Sequence, residues 1–473
     1  MSKREPMSSI DTAWLRMERP TNPMMIVAVM TLETKLPVER FREVSASRFL
    51  RHGRFRDRAV LEGNTAYWER DPHFDLSFHV RRTALPRPAG KRELQELVSD
   101  LASTPLDAAR PAWQYHVVDE YETGCAVVFR IHHCYGDGIA LMQVLLSLAD
   151  EAGAEPAPAD DALEESENTA GGLLPRWLSP VANTVDQTLN LGTRLLVLYW
   201  DVVVHPTHAM DYARQGIDLA AEATRLALMP MDSHTRFKGK PLGVKRAAWT
   251  DRLPLDELKA VSHASGCSIN DLVLTCIAGA LRSYLIDRGD AVGEDVELRA
   301  LIPVNMRPPG TVDSLGNYFG LVAVLLPIGI ENPLERLNEV KRRMLELKGS
   351  SQAAVTLGLL SAVGMGPRAL QEQILDLLSS RASAVITNVA GPQHALYIGG
   401  AKLAELMFWV PQSGEIGVGI SALSYDGAMQ FGIVIDKHLA GDPENVAGRF
   451  AIEFEQLLLL MLMGPWEDDE PTT

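Results

Sequence analysis

The stretch FRIHHCYGDGIA, residues 129–140, ends an apolar run on two adjacent imidazoles, then passes through an aspartate between glycines into the apolar IALMQVLLSLADEA. Strand, tight turn, helix is the natural reading, and it sets the fold class as α/β. Successive residues of a strand face opposite sides, so His132 and His133 are expected to point apart, with only one turned toward any given cleft. Gly136 and Gly138 are expected to permit the turn, and Asp137 to bond the backbone or anchor an arginine. Clefts in such folds lie beyond strand ends, where these imidazoles sit.

Outward from this point, residues 1–150 hold further strand candidates at MMIVAVMTLE (24–33), FHVRRTAL (78–85) and WQYHVVDEY (113–121). Composition then changes sharply. EAGAEPAPADDALEESENTAGG (151–172) has many acidic residues and no basic one, cannot build a core, and reads as a flexible linker leading into a helical crossover that ends near 235. From 236 to 473 strands recur at RAAWTDRL, VELRALIPVNM, YFGLVAVLLPI, ASAVITNVA, KLAELMFWVP, IGVGISALSYDG and AMQFGIVID, with helices between them. At 473 residues the chain exceeds what one core usually holds. The expectation is therefore two lobes with mixed sheets and a helical connector.

Composition excludes several function classes. A formal net charge of −16 argues against a general affinity for nucleic acid, whose phosphates need a basic face. The opening MSKREPMSSIDTAWLRMERP lacks the apolar core of a secretory signal, so a cytoplasmic location is expected. No apolar run approaches the ~20 residues of a spanning helix. LLVLYWDVVV (195–204), AAVTLGLLSAVGMG (353–366) and FEQLLLLMLMGPW (454–466) read as core helices. Four cysteines without CxxC spacing form neither a disulfide framework nor a zinc site.

Three chemistries compete at 132–138. A metal site needs converging imidazoles or an i, i+4 pair on a helix, which adjacent histidines do not supply. Cys134 as nucleophile would sit beside His133 on an extended chain and face away from it. A lone histidine acting as general base remains, since an imidazole with a pKa near 6.5 is largely neutral at physiological pH. A structural histidine buried in the core is the ordinary alternative. The histidine pair, the aspartate and the glycines together favour the base.

The string His132-His133-Cys-Tyr-Gly-Asp137-Gly138 matches the HHxxxDG signature of the coenzyme A dependent acyltransferase superfamily, which includes chloramphenicol acetyltransferase-like enzymes and peptide-synthetase condensation domains. MSSIDTAWLRMERPTNPMMI (7–26), PLDAARPAW (105–113), NDLVLT (270–275), PVNMR (303–307), LGNYFG (315–320) and TNVAGP (387–392), in that order, resemble the pattern of bacterial wax ester synthase/diacylglycerol acyltransferases. Two positions depart from it. The family's Pro-Leu-Trp reads Pro111-Ala112-Trp113, and its Ser-Asn-Val-Pro-Gly-Pro reads Thr387-Asn388-Val389-Ala390-Gly391-Pro392. Neither change removes a chemical group, though substrate preference could shift.

The resemblance implies the two-lobed fold of chloramphenicol acetyltransferase-like enzymes and condensation domains, with an active-site channel between the lobes. It also implies transfer of a long-chain acyl group from acyl-CoA, as co-substrate, to a fatty alcohol or diacylglycerol, with no bound cofactor or metal and with any attachment to the inner membrane or lipid inclusions peripheral. His133 is then the general base, Asp137 an orienting residue with Arg307 as its candidate partner, and His132 a support. Gly138, Trp113, Asn270, Asp271 and Asn388 are expected to line the site. Asn270 and Asp271 read equally well as helix caps. Gly358 and Ala362, four apart on a helix, are expected to leave room for an acyl chain, with close helix packing the alternative. RFLRHGRFRDR (48–58) suggests contact with CoA phosphates or an anionic surface, or simply a solvated face. Two rivals stay open: a carrier-protein-dependent condensation or ester-forming enzyme of the same superfamily, and a catalytically idle protein that binds lipid surfaces.

Overall fold

Every residue of the strand Gly124–His132 is buried. With both faces covered it has no polar side, which is why the sequence shows a continuous apolar run rather than alternation. It lies inside a six-stranded sheet, antiparallel to Met25–Leu32 on one flank and Trp113–Tyr121 on the other. Arg130 is the charged exception within it. Gln114 Oε1 at 2.6 Å and the carbonyls of Leu101 and Thr104 accept from its guanidinium, whose pKa burial lowers to about 10.

This computed structural model describes residues 4–63, 65–150, 229–307, 315–348, 350–365 and 368–463. The acidic stretch 151–172, nearly all of the crossover expected up to 235, and the apolar segment 195–204 lie outside the described residues.

Val80–Thr83 closes one edge of the six-stranded sheet in parallel with Trp113–Tyr121. The other flank corrects the expected lobe boundary. Ala401–Trp409, assigned from sequence to the second lobe, pairs antiparallel with Met25–Leu32, and Tyr397–Ile398 extends it. The two halves therefore share a sheet, and the first hydrophobic core takes in Ala247, Trp249, Phe319, Leu360 and Tyr425 from the later half.

The second sheet runs Phe319–Leu326, Leu298–Asn305, Ala384–Ala390, Val418–Tyr425, Ala428–Asp436, Lys245–Trp249, with Leu253–Pro254 also pairing on Ala428–Asp436. Its centre is parallel and its flanks antiparallel. Asp426 and Gly427, at φ 46° and 72°, make the tight turn between Val418–Tyr425 and Ala428–Asp436, as an Asp-Gly pair favours. Ile269–Asp287 is long and apolar enough to cross a membrane by composition, yet most of it is buried in the second core, packed with Pro443–Met463.

The helix Gln352–Met365 bridges the halves. A Cβ on Gly364 would collide with the Ser9 carbonyl of the first helix, Ser9–Arg16, and a Cβ on Gly320 with the Ala353 carbonyl. Thr356 Oγ1 donates to the Leu321 carbonyl and accepts from its N–H, and Gln352 Oε1 accepts from Ala323 N–H. These side chains occupy the edge of Phe319–Leu326 that a further strand would otherwise extend.

A small third sheet of Arg4–Pro6, Thr65–Arg70 and Asp57–Glu62 absorbs the basic run. Arg54 pairs with Glu5, Arg58 with Glu69, Arg48 with Asp150, and Arg56 donates to the Leu50 carbonyl. These arginines have partners within the protein, which fits the reading of the run as a structural surface face.

Candidate active site

His132 ends its strand and His133 opens a single 3-10 turn, His133–Tyr135. That turn, rather than glycine freedom, reverses the chain. Gly136 at φ 167° is ordinary extended backbone, and Gly138 is not among the glycines with positive φ. Gly138 begins the helix Gly138–Ser147, and a Cβ there would make ordinary contact with Phe408 at 3.7 Å.

Asp137 caps that helix. Its Oδ1 accepts from Ala140 N–H at 2.8 Å, and its Oδ2 accepts from Arg307 Nη2 at 3.0 Å and Tyr318 N–H at 2.9 Å. Arg307 also donates to the Gly316 carbonyl at 3.0 Å, with its guanidinium 4.7 Å over the Tyr318 ring. The Asp137–Arg307 pairing named from the sequence is thus made, and it docks the turn of the first half onto Arg307, Gly316 and Tyr318 of the later half.

His133 is 3% exposed, stacked on Trp14 with centroids 4.2 Å apart and tilted against Phe319 at 5.5 Å. Burial lowers its pKa to about 4, opposed only partly by Asp137, its own carbonyl and Asn317. The ring is therefore neutral at physiological pH and able to accept a proton. Its backbone is pinned at both ends: its N–H donates to the Met24 carbonyl at 2.7 Å, and its carbonyl accepts from Asn317 Nδ2 at 3.0 Å. Asn317 Nδ2 also donates to Asp11 Oδ1 at 2.8 Å, and burial pushes the Asp11 carboxyl above its usual range. His132 diverges from its neighbour. Its Nδ1 accepts from Cys134 N–H at 3.1 Å, and its Nε2 faces Glu18 at 3.4 Å.

Cys134 is wholly buried, which holds its thiol protonated and removes it as a thiolate nucleophile. Among the described residues no group of three His, Cys, Asp or Glu lies close enough to hold a metal ion.

The remaining candidates separate. Asn270 Oδ1 accepts from Asn388 Nδ2 at 3.3 Å, which joins the start of Ile269–Asp287 to the strand Ala384–Ala390. Asp271 is a capping residue: it accepts from Ser268 N–H at 2.9 Å while Ser268 Oγ accepts from Asp271 N–H at 3.2 Å. Trp113 is a correction. Its indole is enclosed by Phe49, Phe55, His79 and Tyr115, and Nε1 donates to the Phe55 carbonyl at 2.7 Å, so it supports the sheet rather than lining a site. On Gly358 a Cβ would meet nothing within 4 Å among the described residues. Ala362 lies on the same helix, and its side chain is outside the described residues.

Sequence reasoning missed Asp11, Trp14, Asn317 and Phe319 as individual residues. They stand inside blocks already singled out, 7–26 and 315–320, but none bears a pattern that marks chemistry by itself.

The family described as wax ester synthase/diacylglycerol acyltransferase catalytic domain matches residues 7–273, and the WS/DGAT C-terminal domain matches residues 315–458. A Mycobacterium tuberculosis protein described as a probable diacylglycerol O-acyltransferase is 28% identical over 389 residues, 80% of this chain and 78% of that protein. A second from the same organism, also named as a diacylglycerol O-acyltransferase, is 28% identical over 488 residues, 99% of this chain and 91% of its own length. The solved wax ester synthase/diacylglycerol acyltransferase from Marinobacter aquaeolei VT8 is 21% identical with a TM-score of 0.67, covering 97% of this chain and 100% of that one. The first condensation domain of the calcium-dependent antibiotic synthetase shares the fold at 13% identity, TM-score 0.59, over 98% of this chain and 97% of its own.

Proposed function

The chain belongs to the wax ester synthase/diacylglycerol acyltransferase family and is an acyltransferase; from that premise we propose that it moves a long-chain acyl group from acyl-CoA to a fatty alcohol or diacylglycerol, with His133 as general base. The observation that carries this reading is the placement of His133, stacked on Trp14 and buried where the turn at 133–137 is bonded to Arg307, Asn317 and Tyr318.

His133 takes the proton of the acceptor hydroxyl as its oxygen attacks the thioester carbonyl. The carbonyl π electrons move to oxygen, then return as the carbon–sulfur bond breaks, and the CoA thiolate leaves with that electron pair and takes the proton from the imidazolium. Ester and CoA thiol are the products, and no acyl-enzyme forms. Asp137 transfers no proton in this scheme: with Arg307 it fixes the turn that carries His133. Asn317 and Trp14 hold the imidazole from its backbone and its face.

An acyl chain supplies about 0.8 kcal/mol per buried methylene, so an apolar channel carries much of the binding. The space beside Gly358 supports its assignment to such a channel.

The test is thiol release and ester formation with long-chain acyl-CoA and a panel of fatty alcohols and diacylglycerols. His133→Ala is expected to abolish both while His132→Ala retains most of them. Turnover from acyl carrier protein donors alone would favour the condensation-type rival. Full ester production by His133→Ala would end the assignment of the base.

A further inference from the structure

Trp14 is 5% exposed, and its Nε1–H has no acceptor among the described residues. Buried indoles ordinarily find one, as Trp113 does at the Phe55 carbonyl, and leaving such a donor unpaired costs about 1–3 kcal/mol. This unpaired donor belongs to the ring stacked on His133 at 4.2 Å and 18°. A stack that close sets the margin of the indole within a few ångströms of the margin of the imidazole, where the reacting atoms gather in the reaction proposed above.

Among the described residues, three other donors near that imidazole are already engaged. Asn317 Nδ2 bonds Asp11 Oδ1 and the His133 carbonyl, Tyr318 N–H bonds Asp137 Oδ2, and Arg307 Nη2 bonds Asp137 and the Gly316 carbonyl. Phe319, the other ring against His133, has no donor to offer. Trp14 is also rigidly placed. Ser8 Oγ caps its helix by accepting from Asp11 N–H at 3.0 Å, and Gly364 lets Gln352–Met365 close against the helix start. A donor fixed before substrate arrives needs no reorganisation when charge develops.

We propose that the Trp14 indole N–H donates to the carbonyl oxygen of the acyl thioester and stabilises the oxyanion formed when the acceptor oxygen adds to that carbon. The inference rests on the acyl-transfer reading above. As the carbonyl π electrons move onto oxygen, the Nε1–H···O bond strengthens. It relaxes when the carbonyl re-forms and the thiolate departs. Trp14 is then a catalytic residue that touches substrate, beside but separate from His133.

Trp14→Phe keeps an aromatic face over His133 and removes the N–H. With the full-length protein, long-chain acyl-CoA and the best alcohol of the panel, kcat is expected to fall about 100-fold, with KM for acyl-CoA and the shape of the pH profile unchanged. A second variant carries 3-benzothienylalanine at position 14, whose ring sulfur replaces the N–H at nearly constant size. It decides the matter if the phenylalanine variant loses stability, and the same kcat loss is expected. Wild-type turnover with either variant within about threefold of it, or a loss carried by KM, overturns the role of Trp14 and leaves the acyl-transfer reading standing. Absence of thiol release by the wild-type protein with every acceptor overturns that reading, and this proposal with it.

Discussion

Asp137 Oδ2 and Arg307 Nη2, 170 positions apart in the chain, meet at 3.0 Å with both side chains almost wholly removed from water. Removing one member of such a pair leaves a buried charge uncompensated, at a cost of about 3–5 kcal/mol. Asp137→Ala also removes a helix cap, worth about 1 kcal/mol more. The double variant Asp137→Ala, Arg307→Met removes both charges, so its loss should be well below the sum of the singles. Urea unfolding of the four proteins measures this cycle, and additive losses would show that the pair is not coupled.

The depressed pKa of His133 has a stability signature. An unfolded imidazole titrates near 6.5, whereas the buried ring titrates at about 4, so between these values the unfolded chain binds more protons. The contribution is complete above pH 6.5 and is lost as pH falls toward 4, amounting to about 3 kcal/mol in total. His116, likewise lowered to about 4 by burial, adds to the same acid sensitivity. His133→Gln should therefore lose less stability between pH 7 and pH 4.5 than the wild type does. An unchanged difference would mean that the ring is not buried in the folded protein. In activity, the acid limb of kcat/KM should lie below pH 5 rather than near 6.5.

The helix start at Ser268 separates structure from chemistry. Ser268 and Asp271 cap each other's backbone, so Ser268→Ala and Asp271→Ala should each cost about 1 kcal/mol, and together less than twice that. Asn270 takes no part in the cap and bonds Asn388 instead. Asn270→Ala should alter stability by less than about 0.5 kcal/mol while reducing turnover. Equal effects of Asn270→Ala and Asp271→Ala on turnover and stability would erase the distinction.

These pairings show where sequence reading reached and where it stopped. Strands such as Gly124–His132 and Ala428–Asp436 were legible because burial on both faces imposes long apolar runs. Asp137 was legible as a turn residue that bonds backbone or anchors an arginine, and PVNMR offered one candidate arginine at a strand end. The three-stranded sheet of Arg4–Pro6, Asp57–Glu62 and Thr65–Arg70 was not, because charged, half-exposed strands lack that signal. Nor was the exchange of Ala401–Trp409, since an apolar strand carries no mark of which sheet it will join. Trp14 and Asn317 escaped for a related reason: a ring stack and a bridging amide depend on long-range placement that no local pattern encodes. Trp113 misled because an aromatic in a motif block packs the core as readily as it lines a site.

The glycines of the helix Gln352–Met365 provide the last test, because they differ in what a side chain would meet. On Gly364 a Cβ collides with the Ser9 carbonyl, and on Gly320 of the facing strand it collides with the Ala353 carbonyl, so alanine at either position forces helix and neighbour apart. On Gly358 it enters open space among the described residues, and alanine in a helix interior is about 1 kcal/mol more favourable than glycine. Gly358→Ala should therefore raise the melting temperature, while Gly364→Ala and Gly320→Ala lower it. If the space beside Gly358 belongs to the acyl or alcohol channel, Gly358→Leu should stay folded yet shift turnover from the longest chains toward shorter ones, since each excluded methylene forfeits about 0.8 kcal/mol. Competition assays across a chain-length series measure that shift. An unchanged preference in a well-folded Gly358→Leu protein would place the channel elsewhere and leave Gly358 a plain gap in the packing.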